Sequence, residues 1–233
     1  MERVSKMKER PIIFSSEMVR AILEDRKTMT RRPIKVQPSH KYAIFADYKT
    51  DLGFTKSKES FWAGFWLNGN PDVGSPGYFK CPHGIPGDQL WVRETWKCSA
   101  LSHHTPTDGP ESAEHSISYK PDGCFPNCKT FKFEKPMDNA WQKNRDGWRS
   151  SIHMPRWASR ITLEIVNVKV ERIQYITHKD ALAEGVAYDV SKEDGSPLSR
   201  FQKLWNSIYS KKGVGWDKNP WVWVIGFKRI KDR

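Results

Sequence analysis

The segment Asp25-Arg-Lys-Thr-Met-Thr-Arg-Arg-Pro33 sets one lysine, three arginines and two threonine hydroxyls within nine residues. Three chemistries suit that mixture. In a hydrolysis, a threonine hydroxyl attacks once a base has taken its proton, while nearby cations stabilise the oxyanion. Thr30 would be the nucleophile, Lys27 the base, and Arg31 or Arg32 the oxyanion partner. Lys27 can act as a base only if burial and the neighbouring arginines disfavour its charged form. In a binding site, Lys27, Arg31 and Arg32 would hold phosphates while aromatic rings stack on bases, and no bond is broken. In a plain solvated turn, Thr28 and Thr30 do no more than satisfy backbone groups. The residues leave all three open.

Two further constellations could join such a site. On the predicted strand Gln89 to Trp96, period-two alternation gives Leu90, Val92, Glu94 and Trp96 one face, so a carboxylate lies among apolar neighbours and must be paired or protonated. Arg156, Arg160 or Lys27 could pair with it, either as a site group or as a structural ion pair. His153-Met-Pro-Arg-Trp-Ala-Ser-Arg160 brings a histidine, Arg156, Arg160 and Trp157 together, a mixture suited to a nucleic-acid backbone and base or to a solvent-facing strand entry. Eleven tryptophans make stacking platforms available, although a core consumes large aromatics readily. Cys81, His83, Cys124 and Cys128 are the four side chains from which a structural zinc site could be built, but their loose spacing favours reduced thiols and no metal.

The elements that must position these residues follow from periodicity. Arg10 to Ser15 predicts a strand, and Ser15 or Ser16 caps a helix whose Met18, Val19, Ile22 and Leu23 form one stripe and which stops near Asp25. Pro33 forbids helix beyond it and biases Arg32 towards extended geometry, so the basic cluster sits at a helix-to-strand junction. Ile161 to Val170 alternates with a phase shift between Ile165 and Val166, the mark of a bulge that bends a strand. Thr177-His-Lys-Asp180 has the form of a capping box, opening a helix through Glu184 that Gly185 closes. Phe201, Leu204, Trp205 and Ile208 recur at helical spacing, Lys211-Lys-Gly213 ends that helix, and Trp221 to Phe227 is a buried strand. Residues 34–86 and 97–149 show little periodicity and are expected to be irregular excursions from the core.

Thirty-nine Lys and Arg against 27 Asp and Glu leave a formal charge of +12 in 233 residues, an excess that favours a polyanionic partner through phosphate contacts and counterion release. The first ten residues are charged without an apolar stretch behind them, and the longest apolar run, Trp221 to Phe227, is too short to span a bilayer. The expectation is a cytoplasmic protein without a membrane partner.

Several segments, in order, resemble the ASCH family: the opening strand and helix, Arg26-Lys-Thr-Met-Thr30, Gly87-Asp88 leading into Leu90-Trp-Val-Arg-Glu94, and the terminal Trp-Val-Trp-Val-Ile-Gly-Phe-Lys. Together they cover about 110 residues. Trp-Val-Arg-Glu-Thr-Trp and Met154-Pro-Arg-Trp-Ala-Ser-Arg-Ile161 are similar to segments of the longer phage and prophage members. The resemblance implies an α+β fold, a PUA-like β-barrel with flanking helices and two long insertions. It would be a single domain over 1–233, its core approximately 8–33, 87–96 and 150–233 and its insertions approximately 34–86 and 97–149. A small bacterial member removes the acetyl group from N4-acetylcytidine, and its motif implies roles for three residues here: lysine at Lys27, nucleophilic threonine at Thr30, and glutamate at Glu184 within Ile176-Thr-His-Lys-Asp-Ala-Leu-Ala-Glu-Gly185. Arg26, Thr28, Arg31, Arg32, Glu94, Arg156, Trp157 and Arg160 complete the expected substrate-binding set. The function implied is an RNA- or nucleoside-binding protein that hydrolyses acetylated cytidine or cleaves RNA, without a cofactor. The alternative is a non-catalytic reader of nucleic acid or of a modified base, a phage accessory protein for which DNA is also an open partner.

Overall fold

A computed structural model describes residues 7–35, 37, 44–46, 62–66, 77–100, 114–120, 129–132, 147–187 and 195–231. Five strands make one sheet: β1 (Glu9–Ile13), β2 (Met29–Pro33), β6 (Gln89–Arg93), β10 (Thr162–Arg172) and β11 (Trp221–Ile230), in the order β1-β6-β10-β11-β2. Helix α1 (Ser16–Leu23) follows β1, and α2 (His178–Ala183) and α3 (Pro197–Tyr209) lie between β10 and β11. The fold is α+β. Among the described residues the sheet is open, with β1 and β2 at its edges, instead of the closed barrel that the resemblance implies. Edge strand β2 ends in Pro33, which has no N–H to donate and suits an edge rather than a further pairing.

Each excursion carries ordered strands, contrary to the expectation of irregular chain. β3 (Ile44–Ala46), β4 (Trp62–Trp66) and β5 (Gly77–Lys80) form an antiparallel meander with Phe45 opposite Phe65 and Ala63 opposite Phe79. β7 (Trp96–Ala100), β8 (Glu114–Tyr119) and β9 (Lys129–Lys132) form a second, with Cys98 opposite Ile117. Three to six residues per strand give too few alternations to rise above the surrounding Gly, Pro and Asn. The predicted strand 89–96 is also two strands. Glu94 and Thr95 leave the ladder, the Glu94 N–H donating to Met154 Sδ at 3.3 Å, and Trp96 exchanges backbone bonds with Arg149 at 2.8 and 3.3 Å.

By its contacts the chain divides into two units, Met1–Arg10, Ala21–Leu90 and Leu163–Arg233 in one, and Pro11–Arg20 and Trp91–Thr162 in the other. The core of the first unit joins Ile173, Ile176, Ala181, Phe201, Trp205, Tyr209, Val222 and Val224. Helix α3 therefore buries Phe201, Trp205 and Tyr209, spaced by four, with Trp205 and Tyr209 rings 4.3 Å apart, while Ile208 of the predicted stripe is exposed. Along β10, Leu163, Ile165 and Val168 are buried and Val166 and Asn167 are both exposed, a slip in phase where a bulge would put it. The second unit packs Trp96, Cys98, Ile117, Tyr119, Met154 and Ala158 together, with Trp157 at the margin.

Candidate functional site

Lys27 is fixed from three directions by backbone bonds. Helix α1 ends by wrapping tightly: Asp25 adopts a left-handed φ of 56°, and the N–H groups of Arg26 and Lys27 both donate to Ala21 O at 2.9 Å. The Thr28 N–H donates to Ala183 O and the Thr28 carbonyl accepts from the Phe227 N–H, both at 2.8 Å. Lys27 and Glu184 thereby face each other as an isolated antiparallel bridge. Glu184 is held in turn by α2, whose capping box is complete: the Asp180 N–H donates to Thr177 Oγ1 and the Thr177 N–H to Asp180 Oδ2. Gly185 then turns the chain with φ 85°, a conformation that favours glycine.

These supports bring five ionisable side chains together. Lys27 Nζ donates to both the Glu184 Oε2 and its backbone carbonyl at 2.8 Å, and the lysine side chain has no exposed surface. Arg31 Nη1 donates to Glu184 Oε1 at 3.3 Å and to Met29 Sδ at 3.3 Å. Its Nη2 donates to Glu171 Oε1 at 2.6 Å and Asp180 Oδ2 at 3.0 Å, and its Nε to Glu171 Oε1 at 3.1 Å. All five N–H groups of that guanidinium are thus engaged, so Arg31 is a bracket joining β2, β10 and α2 rather than a free anion clamp. Burial disfavours the charged form of Lys27, Glu184 opposes this, and Arg32 and Arg31 add to the depression, leaving the lysine below its ordinary pKa. For Asp180, burial acts upward but is outweighed by the Thr177 bonds and by Arg31, so its carboxyl titrates below the usual range.

Comparison of the chain with protein-family models, with curated proteins and with solved structures found no match. Residue geometry is what speaks to function.

Of the expected catalytic set, Lys27 and Glu184 meet and Thr30 stands apart from them. Thr30 is buried, but strand alternation puts it on the face of β2 opposite Arg31, and its hydroxyl makes no hydrogen bond to another described residue. Arg32 shares the face of Thr30 and is half-buried. Arg26 is exposed, pairing with Glu24 and donating from Nη1 to Gly185 O at 3.1 Å. The Thr28 side chain is exposed, and its contribution is through the backbone. In the second unit, Glu94 is gripped by Arg160 through two bonds, Nε to Oε1 at 3.0 Å and Nη2 to Oε2 at 2.9 Å, with the Arg160 guanidinium 4.0 Å from the Tyr119 ring centroid. Arg156 is exposed and reaches Thr162 Oγ1 at 3.4 Å, and Trp157 is half-buried edge-on to Trp96 at 5.9 Å.

Cys124 and Cys128 lie outside the described residues, and among those described no group of three or more His, Cys, Asp or Glu side chains could hold a metal. Burial pushes the Cys81 thiol up to about 11, against backbone N–H bonds from His83 and Gly84. Burial, Arg32 and Arg10 push His83 down to about 4. Since the unfolded chain binds this proton below about pH 6.5 and the folded one only below about 4, stability falls as pH drops through that window. The half-buried imidazole is expected to contribute on the order of 2 kcal/mol. Urea unfolding at pH 7.5 and pH 5 should show this loss, and His83→Gln should remove most of it. No helix among the described residues is long and apolar enough to cross a membrane.

Glu171, Asp180 and Gly185 escaped the sequence reading as site residues. Asp180 was visible as a helix cap, and Gly185 as a helix stop. Glu171 had no local signal, because its partner Arg31 is 140 residues away.

Proposed function

We propose that this chain is an RNA- or nucleoside-binding protein of the ASCH type whose ligand centre is the Lys27–Glu184–Arg31 cluster. The observation that supports this reading is the meeting of Lys27 and Glu184. They are 157 positions apart, nominated by one motif, and joined by two bonds of 2.8 Å where the side chains are almost wholly buried. A buried ion pair is weak as a device for stability alone, because desolvation offsets much of the attraction. Lys169 also pairs with Glu171 at 2.7 Å, so three carboxylates meet three cations and the balanced cluster suits a neutral base edge or amide better than a phosphate. A PUA-like architecture belongs to the same proposal, and the phase slip at Val166 and Asn167 supports a sheet that bends.

In the hydrolytic form of this reading, Thr30 Oγ1 attacks the acetyl carbonyl and passes its proton to neutral Lys27. Lys27 then returns that proton through Glu184 to the departing amine, and water releases acetate from Thr30. The depressed pKa of Lys27 suits that role. The second reading, a reader that breaks no bond, is favoured by the Thr30 hydroxyl, which is not bonded to Lys27 or Glu184. Incubation with acetylcytidine and with RNA, followed by mass spectrometry, separates the two. Loss of acetyl that disappears in Thr30→Ala supports hydrolysis. Intact substrates that bind and protect the protein support the reader, and neither turnover nor binding sinks the proposal.

A further inference from the structure

Strand β2 is an edge of its sheet, and its register with β11 settles which of its backbone groups are left over. The Phe227 N–H donates to Thr28 O at 2.8 Å and the Ile34 N–H to Trp221 O at 3.0 Å, so Thr28 and Ile34 face β11. In an antiparallel ladder, hydrogen-bonded and non-bonded pairs alternate. Thr30 and Arg32 therefore belong to bonded pairs with Ile225 and Trp223. Met29 and Arg31, opposite Gly226 and Val224, turn their N–H and C=O groups away from β11. No hydrogen bond from another described residue reaches the backbone of Met29 or Arg31 on that side. The open stretch is short: at one end Ala183 O takes the Thr28 N–H at 2.8 Å, and at the other Pro33 has no N–H to offer. It is also enclosed. Arg31 is 3% exposed although its side chain has no exposed surface, so what water can reach of this residue is its backbone.

A backbone donor and acceptor shut away from bulk water cost free energy unless something pairs with them, which marks this edge as a place for a ligand. Such a ligand lies beside the cluster, because Glu184, which follows Ala183, bonds both Lys27 and the Arg31 side chain. We infer that the Arg31 backbone reads the base of the proposed nucleoside ligand. Its N–H donates to a ring nitrogen or carbonyl, and its C=O accepts from the neighbouring N–H on the same base edge. This contact rests on the nucleoside reading and adds the class of ligand to it, a planar base with a donor next to an acceptor. Cytosine presents such an edge at N3 and N4–H, with or without an acetyl group on N4. An anion brings no hydrogen for the carbonyl, and a metal cation brings no acceptor for the N–H. An added peptide strand needs several residues of open edge, whereas Met29 to Arg31 spans about 7 Å, two residues at about 3.3 Å each. A single flat ring entering edge-on fits where a strand does not.

The test follows the backbone amide protons of the isotope-labelled full chain by NMR as cytidine or N4-acetylcytidine is added. The Arg31 amide is expected to move downfield, and the Thr30 amide, already bonded to β11, to move far less. No substitution is needed, so misfolding of a variant cannot obscure the result. 3-Deazacytidine lacks the ring acceptor and zebularine lacks the exocyclic donor, and neither adds bulk. Each is expected to bind about tenfold to a hundredfold more weakly than cytidine, because it leaves one enclosed backbone group unpaired. Nucleoside binding with the Arg31 amide unmoved, or with both analogues within about twofold of cytidine, overturns the backbone contact and leaves the nucleoside reading standing. No binding of either nucleoside removes both. An Arg31 amide that is downfield and slow to exchange before any ligand is added would mean that the edge is paired within the chain, which also overturns the contact.

Discussion

Glu184→Gln is expected to destabilise the protein by about 3–5 kcal/mol, among the largest effects available from one substitution. The carboxylate accepts from Lys27 at one oxygen and from Arg31 at the other. An amide can keep one of these bonds, but its NH2 must then face the second cation, donor against donor. The Lys27 side chain is wholly buried, and so is that of Arg31, so no water replaces the missing acceptor. Glu171 and Asp180 still neutralise Arg31, which places the unrelieved charge on Lys27. Lys27→Met in the Glu184→Gln background should therefore restore much of the loss, because removing both charges avoids the desolvation that a single removal exposes. Urea unfolding of the four members of this cycle measures the coupling. A Glu184→Gln protein within about 1 kcal/mol of the parent would mean that water or a nearby group already compensates the lysine, and the cluster would lose its claim to be sealed.

How far the sequence carries is visible in this same cluster. Helix α1, the capping box at Thr177, the glycine stops at Gly185 and Gly213, and strand β11 all arise from local patterns, because caps, turns and alternation act over a few residues. The phase slip of β10 is legible for the same reason. The burial of Glu94 follows from period two, but its partner does not: Arg160 was one of three candidates, and only three-dimensional placement separates them. Arg31 is a stronger case. Three arginines in Arg26-Lys-Thr-Met-Thr-Arg-Arg32 look alike in one dimension, yet one is exposed, one is half-buried, and one spends every donor on carboxylates 140 to 153 residues away or on the Met29 sulfur. Strand register decides which, through the pairing of Arg31 with Val224 and of Thr30 with Ile225. The same register turns Thr30 away from Arg31, something that the spacing of Lys27 and Thr30 cannot express. The meanders of the excursions stayed hidden because their pairings, not their residues, define them.

Gly185→Ala should be nearly as damaging as the loss of Glu184, at about 2–5 kcal/mol, although it removes no bond. Two separate costs add. A φ of 85° puts an L side chain in a left-handed region that disfavours it by about 1–2 kcal/mol. The new methyl would also stand 2.7 Å from Ala21 Cβ and 3.0 Å from Lys27 Cβ, an overpacking of the order of 1–3 kcal/mol. Ala21→Gly tells these apart. It removes the nearer carbon and so relieves the crowding but not the strain, while costing up to about 1 kcal/mol of its own in helix α1. The double variant should thus be more stable than the sum of the two singles predicts, by about the crowding component. The closeness to Lys27 gives the substitution a second consequence. Gly185 follows Glu184 directly, so backing away from Ala21 and Lys27 shifts the carboxylate against the lysine that it holds. If the cluster is the ligand centre, nucleoside affinity should fall in Gly185→Ala under conditions where the protein remains folded, and Ala21→Gly should restore affinity and stability together. Stability restored without affinity would assign Gly185 to the fold and not to the site.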